Sequence, residues 1–230
     1  MPDYIDFSRW FNTPALKAGI STRDMNGSNS EIRQKMIKKI QLNSNGICTA
    51  NQTHSSRVYF TNQPCQNQET DGFISNRKDI VLTIKIADCI PLFLYDRTSE
   101  IIGMIHSGWR GTVGQIAINS IKQIIQNGGN VSEIQALVGP SICKKHFEVR
   151  EDIVSQFPSK FVDTSEFGTF NVDLKAMVTD QLISMGLNSK LIFDVGLCTH
   201  CREDLFYSYR RDKRLKGRMI AVIGLMRSKA

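Results

Sequence analysis

Apolar and polar positions follow two different rhythms along this chain, and the changes of rhythm mark out its elements. Between residues 80 and 86, Leu82, Ile84 and Ile86 recur at every second position, a strand pattern. Residues 91–95 and 101–105 are apolar with little interruption, as strands covered on both faces are, and 96–100 between them reads as a hairpin turn. A helical period takes over in 31–40, where Ile32, Met36, Ile37 and Ile40 share a face. Ser30 is its expected N-cap, with Arg33 three residues on, so the capping box is incomplete. A second helical stripe comprises Val113, Ile116, Ala117, Ile121, Ile124 and Ile125. It follows Thr112-Val-Gly-Gln115, which has the form of a capping box, and stops at Gly128-Gly129.

Leu174, Met177, Val178 and Leu182 predict a further helix over 173–185, and a short one is expected over 151–157. Strands are predicted at 47–50, 57–61, 134–138, 191–195 and 219–225. The polar segment 62–69, which holds Pro64, reads as a loop, and residues 1–29 show few periodic apolar positions. No linker, low-complexity segment or repeat interrupts the pattern, so one domain over 1–230 is expected. Its segregated hairpins and helices favour an α+β fold with mixed sheets over a doubly wound parallel sheet.

At 230 residues the chain can bury a core that needs no disulfide staples, and 41% hydrophobic with 22% charged residues is ordinary for a soluble protein. The N-terminus shows no secretory signal and no apolar run approaches the ~20 residues of a membrane span, so a cytoplasmic protein is expected. In that compartment the six cysteines, at 48, 65, 89, 143, 198 and 201, are expected as thiols or metal ligands. Net charge is +7, with much of the excess between Arg202 and Arg218, which suits a solvated face or an anionic substrate.

Chemistry concentrates between Gln52 and Gly111. His54, Cys89 and His106 each stand at the edge of an apolar segment, and two imidazoles with one thiolate suit a zinc ion that keeps a fourth position open. Hydrogen-bonded core histidines and a small buried cysteine would give the same spacing. Arg110, held between Gly108 and Gly111, offers a planar fork for phosphate or carboxylate. Asp71 is either a turn residue or a partner that orients a metal-bound histidine. Arg57, Arg210 and Arg211 are further, weaker candidates for holding an anion.

Seven segments occur together in one order. They are Gln52-Thr-His54, Thr70-Asp-Gly-Phe73, Ala87-Asp-Cys-Ile-Pro91, Ile105-His-Ser-Gly-Trp-Arg-Gly111, Gly139-Pro-Ser-Ile142, Phe206-Tyr-Ser-Tyr-Arg-Arg-Asp212 and Gly217-Arg218. With them the chain resembles the laccase-domain, polyphenol oxidase-annotated, purine nucleoside phosphorylases over nearly all its length beyond about residue 15. The resemblance implies a layered α+β fold, sometimes grouped with cysteine-hydrolase-like folds, and a zinc site of His54, Cys89 and His106. It also implies phosphorolysis of adenosine, inosine, guanosine and methylthioadenosine, with adenosine deamination as a companion activity. Asp71, Arg57 and Arg110 become the candidate substrate-binding residues.

After Ile142 this chain departs from the family pattern with Cys143-Lys-Lys-His146, and His146 is expected at the surface and not as a ligand. Cys198-Thr-His-Cys201 has ligand spacing, but a second cysteine pair is missing. A four-thiolate site therefore cannot be built, and packing or a redox-sensitive surface is expected for both cysteines. Three rival functions stand beside the phosphorylase. Cys89 and His106 could form a thiol hydrolase that trims cell-wall precursor peptides. A copper-dependent phenol oxidase is another, although four histidines are few for reducing dioxygen. A basic nucleic-acid-binding module lacks a stacking ladder and ranks last.

Overall fold

The computed structural model describes residues 2–25, 27–42, 46–164, 168–213 and 217–226. Its first half runs β1 (Tyr4–Asp6), β2 (Leu16–Ser21), α1 (Asn29–Lys39), β3 (Gly46–Thr49), β4 (Val58–Phe60), β5 (Gly72–Ser75), β6 (Ile80–Ile86), β7 (Ile90–Asp96) and β8 (Ile101–Ser107). Then follow α2 (Trp109–Val113), α3 (Ile116–Gln126), β9 (Ile134–Val138), β10 (Glu148–Arg150), α4 (Glu151–Val154), β11 (Val162–Thr164) and β12 (Thr169–Val172). The last elements are α5 (Leu174–Ser184), β13 (Ile192–Asp194), α6 (Tyr209–Asp212) and β14 (Met219–Leu225).

The strands form a five-stranded sheet in the order β1-β2-β14-β6-β3, a six-stranded sheet in the order β13-β9-β7-β8-β5-β4, and a small β10-β12-β11 sheet. Both large sheets are mixed: β3 runs parallel to β6, and β4 to β5, while β6 with β14 and β7 with β8 are antiparallel. This is the expected α+β architecture, and the period-2 pattern explains how its layers stack. Leu82, Ile84 and Ile86 on one face of β6 meet Phe93, Tyr95, Ile102 and Met104 of the six-stranded sheet in a common core. The opposite face, through Val81, Ile220 and Val222, receives Ile32, Met36, Ile37 and Ile40 of α1. On the far side of the six-stranded sheet, Leu92, Leu94 and Ile105 pack against Ile116, Ile121 and Ile124 of α3 and Val178 and Leu182 of α5. The layers are therefore helix, sheet, sheet, helix. No helix among the described residues is long and apolar enough to cross a membrane.

Several boundaries differ from the expected ones. Helix α1 is capped by Ser28 and not Ser30: Ser28 Oγ accepts from Glu31 N while the Glu31 carboxylate accepts from Ser28 N, a complete capping box. The helix expected after Thr112 is broken into α2 and α3, with Gln115 between them at φ 64°, a left-handed conformation that no helix continues through. Thr112 caps nothing; its Oγ1 donates to Gly108 O at 3.0 Å and lies 2.8 Å from Ser107 Oγ. Residues 1–29 hold two strands, because β2 is built of small as well as large apolar residues and fills a sheet interior. Strand β8 continues through His106 to Ser107, so that histidine belongs to the strand.

Candidate active site

His54, Cys89 and His106 come from three separate elements and converge. Cys89 lies in the three-residue connection between β6 and β7, after Asp88 at φ 86°. His106 is the penultimate residue of β8, buried, and set opposite Pro91 of β7 by the antiparallel register. His54 lies in the exposed loop before β4 at φ 59°. That loop is held to β6 by Gln52, whose side chain pairs with Lys85 as a strand would: Nε2 donates to Lys85 O and Oε1 accepts from Lys85 N, both at 2.8 Å.

One carboxylate ties the His106 imidazole to the backbone of the His54 loop. Asp71 is fully buried at the start of β5. Its Oδ1 accepts from His54 N at 3.0 Å and lies 2.8 Å from His106 Nδ1. Its Oδ2 accepts from Ser55 N and Ser55 Oγ, both at 2.7 Å, and from Thr53 N and Thr53 Oγ1 at 3.2 and 3.3 Å. Burial alone would raise this carboxyl, but the hydrogen bonds from His106 and Ser55 bring it down to about 2. An ionised Asp71 holds a proton of His106 on Nδ1, so Nε2 is the nitrogen that a metal would take once it is deprotonated.

The donor atoms of His54, Cys89 and His106 all lie within 4.8 Å of one another. The imidazole rings are edge-to-face with centroids 4.9 Å apart. Gly108 makes room for them: a Cβ there would stand 2.9 Å from His54 Cδ2 and 3.1 Å from Cys89 Sγ. Two nitrogens and one sulfur around a space that a methyl group would fill, backed by a carboxylate behind one imidazole, fit one zinc-sized ion with a position to spare. Burial would push the Cys89 thiol up, but the adjacent His106 and the hydrogen bonds of both histidines bring it down to about 6. Burial works the other way on His106, yet the Cys89 thiolate and Asp71 hold it up at about 9. Without metal, the pair is a thiolate beside an imidazolium.

These residues form the floor of a cavity of about 1170 Å³. Its walls carry the cations Lys85, Arg110, Arg150, Arg210, Lys213 and Arg218 against the acids Asp88, Glu148 and Asp152, together with Trp109, Phe147 and other apolar side chains. Arg110 reaches this cavity, its guanidinium 4.2 Å from the Trp109 ring centroid. Arg210 reaches it too, with Nη1 donating to Glu148 O at 2.8 Å. Two of the expected substrate-binding residues do not line this cavity. Asp71 is buried against His106. Arg57 points to solvent 3.9 Å from Glu69 and does not line the cavity. Arg211 is structural: it bridges Thr199 O, His200 O, Phe206 O and Asp212. Lys85, Arg150, Lys213 and Arg218 were not expected at the site; nothing local in a sequence says which way a basic side chain faces. Residues 214–216 of the basic stretch lie outside the described residues.

Three of the remaining cysteines stand close together. All six are free thiols. His146 does not stand apart at the surface but joins Cys143, Cys198 and Cys201 in a second group of metal-capable donors.

Comparisons with known proteins give this chain relatives over most of its length. A protein of Bacillus subtilis named "Purine nucleoside phosphorylase YlmD" is 32% identical over 92% of this chain and 82% of its own length. One of Deinococcus radiodurans named "Purine nucleoside phosphorylase" is 34% identical over 86% and 78%. A protein from an unknown prokaryotic organism, named an adenosine deaminase, is 28% identical over 79% and 76%. The crystal structure of the Bacillus licheniformis hypothetical protein YfiH superposes with a TM-score of 0.87 at 25% identity, over 98% of this chain and 97% of that one. Matched from residue 11 to residue 226 by the family described as "Multi-copper polyphenol oxidoreductase laccase", this chain belongs to that family.

Proposed function

We propose that the protein is a zinc-dependent purine nucleoside phosphorylase, splitting adenosine, inosine, guanosine and methylthioadenosine with phosphate, and that it also deaminates adenosine. The observation that carries this reading is a two-imidazole, one-thiolate site on the floor of a cavity rimmed by six cations. The names of the curated relatives support both activities.

His54, Cys89 and His106 would hold the zinc, which supplies a Lewis acid and makes water acidic enough to act as a nucleophile near neutral pH. The chain's own side chains do the rest. Arg110, braced on Trp109, and Arg210, braced on Glu148 O, place a phosphate dianion in the cavity. Apolar surface from Trp109, Phe147 and Ile153 receives the flat purine. With phosphate fixed beside the sugar, a phosphate oxygen forms the new bond to the anomeric carbon as the bond to the base nitrogen breaks. The electron pair leaves with the base, which takes up a proton. Binding both reactants in one orientation lowers the barrier by removing the entropy cost of their encounter.

A second reading rests on one specific observation: Asp71, His106 and Cys89 are arranged as carboxylate, imidazole and thiol, the order of a thiol hydrolase. His54 separates the two. In the zinc enzyme, His54→Ala loses most bound metal and phosphorolysis while the fold survives. In a thiol hydrolase His54 has no duty, and full phosphorolysis by this variant or by chelated enzyme refutes the zinc mechanism.

A further inference from the structure

Outside the cavity, two short turns face each other. Cys143 O accepts from both His146 N and Phe147 N at 3.0 Å, a tight turn that brings side chains 143 and 146 to one side. Cys198 O accepts from Arg202 N at 3.0 Å, and this helical turn does the same for Cys198 and Cys201. Ser141 locks the two turns together: its N donates to Leu197 O at 3.3 Å and its O accepts from Thr199 N at 3.1 Å. The result is a Cys-x-x-His knuckle set against a Cys-x-x-Cys knuckle.

The distances between donor atoms are those of a filled coordination shell. His146 Nδ1 lies 3.2, 3.4 and 3.9 Å from the sulfurs of Cys143, Cys201 and Cys198. Zinc bonds of about 2.3 Å to sulfur and about 2.0 Å to nitrogen, at a tetrahedral angle, require a nitrogen-to-sulfur separation of about 3.5 Å. All four donor atoms fall within 4.8 Å of one another. Cys198 Sγ also accepts from Cys143 N at 3.3 Å, the kind of backbone contact that steadies a thiolate. The His200 ring stacks on His146 at 4.0 Å and 14°, fixing the plane of the imidazole.

We propose that Cys143, His146, Cys198 and Cys201 bind a second zinc ion, in a closed structural site with no position left for substrate. Its place in the fold gives it a task. Asp88, next to Cys89, is held by both knuckles: its O accepts from Ile142 N at 2.9 Å, and its carboxylate accepts from Thr199 Oγ1 at 2.6 Å. Ser208 Oγ and Arg210 N complete the shell of that carboxylate at 3.0 and 2.7 Å. The loop that holds Cys143 and His146 also delivers Ile142 and Phe147 to the cavity, and Asp88 holds the backbone of Arg210 there. The ion thus clamps the cavity wall without touching the reacting atoms.

Elemental analysis of the full chain, purified with reductant, tests this. Wild type is expected to hold about two zinc ions per chain, and Cys89→Ser, which empties the first site, about one. Cys143→Ser with Cys201→Ser is expected to hold about one as well, now in the first site. X-ray absorption at the zinc edge of Cys89→Ser, where the second cluster is untouched, should count three sulfurs and one nitrogen around the remaining ion. No zinc in Cys89→Ser, a shell without that sulfur count, or a metal content indifferent to the double substitution overturns the proposal. So does a disulfide among the three cysteines in reduced-buffer protein. These outcomes are independent of whether the first site catalyses phosphorolysis.

Discussion

Replacing Asp71 by Asn changes one atom in a buried carboxylate and puts the whole site to the test. Asp71 receives six contacts, all with groups that can donate: Oδ1 faces His54 N and His106 Nδ1, and Oδ2 faces Ser55 and Thr53 through N–H and hydroxyl groups. An amide has one accepting oxygen, so either orientation turns its NH₂ against donors. With the NH₂ at the Oδ1 position, His106 can keep its contact only by accepting at Nδ1, which moves its proton to Nε2 and removes the lone pair a metal needs. Losing at least one charge-assisted hydrogen bond in a buried place costs about 2–3 kcal/mol. The pH dependence gives a similar figure, because the carboxyl is held at about 2 against an ordinary 3.8. That difference corresponds to about 2 kcal/mol. As a depressed acid, Asp71 contributes this stability fully above about pH 4, and the contribution fades as pH falls through about 2. Chemical denaturation of chelated wild type and Asp71→Asn should differ by about 2 kcal/mol at neutral pH, and the gap should narrow steadily on acidification from about pH 4 to 2. Zinc competition should show affinity at the first site lower by about 10–100-fold. Equal stability at neutral pH, a gap that does not close in acid, or unchanged zinc affinity would falsify the role given to this carboxylate.

Arg110→Ala should raise the phosphate KM by about tenfold with little change in the nucleoside KM, matching the loss of one charge-assisted contact of about 1.4 kcal/mol or more; kinetics with each substrate varied in turn read this out. Gly108→Ala should lower metal occupancy at the first site while leaving the fold intact, since the added Cβ would stand 2.9 Å from His54 and 3.1 Å from Cys89; metal analysis with circular dichroism checks both halves. Zinc uptake at the first site near pH 7.5 should release about one proton, because His106 is held at about 9 and is protonated there, whereas Cys89, held at about 6, has already lost its proton. Calorimetry of the Cys143→Ser/Cys201→Ser protein in buffers of different ionisation enthalpy measures that number, and zero protons would contradict the imidazolium assignment.

The strands that the sequence revealed best are the ones buried on both faces. The predicted spans 80–86, 134–138 and 219–225 coincide with β6, β9 and β14, because uninterrupted or alternating apolar runs have no other stable use in a chain of this size. The three residues that converge in the cavity were also legible as candidate ligands from their residue types and setting. What stayed hidden depends on distant partners. Nothing local says that Thr112 would bond back to Gly108, or that Gln115 would take φ 64° and split the helix. The second cysteine group was hidden for the same reason: its missing pair is Cys143 with His146, and only the Ser141 bridge to Cys198 brings a residue 55 positions away into reach. Arg57 lies outside the cavity lining, since a residue just before a strand can turn its side chain to either side.

The position of β14 has a consequence for how the protein comes into being. It lies inside the five-stranded sheet, between β2 and β6, with all its residues buried, and its register joins residues 219–225 to residues 16–21 and 80–86. During synthesis β2 and β6 emerge long before the strand that must lie between them. Until β14 arrives, each presents an unpaired edge, and the two halves of the central sheet have no hydrogen-bonded connection. Arg218, on the cavity wall, is the residue just before that strand. The cation-lined wall of the cavity and the central sheet are therefore completed in the same late step, so a ribosome-bound nascent chain lacking β14 has neither in full.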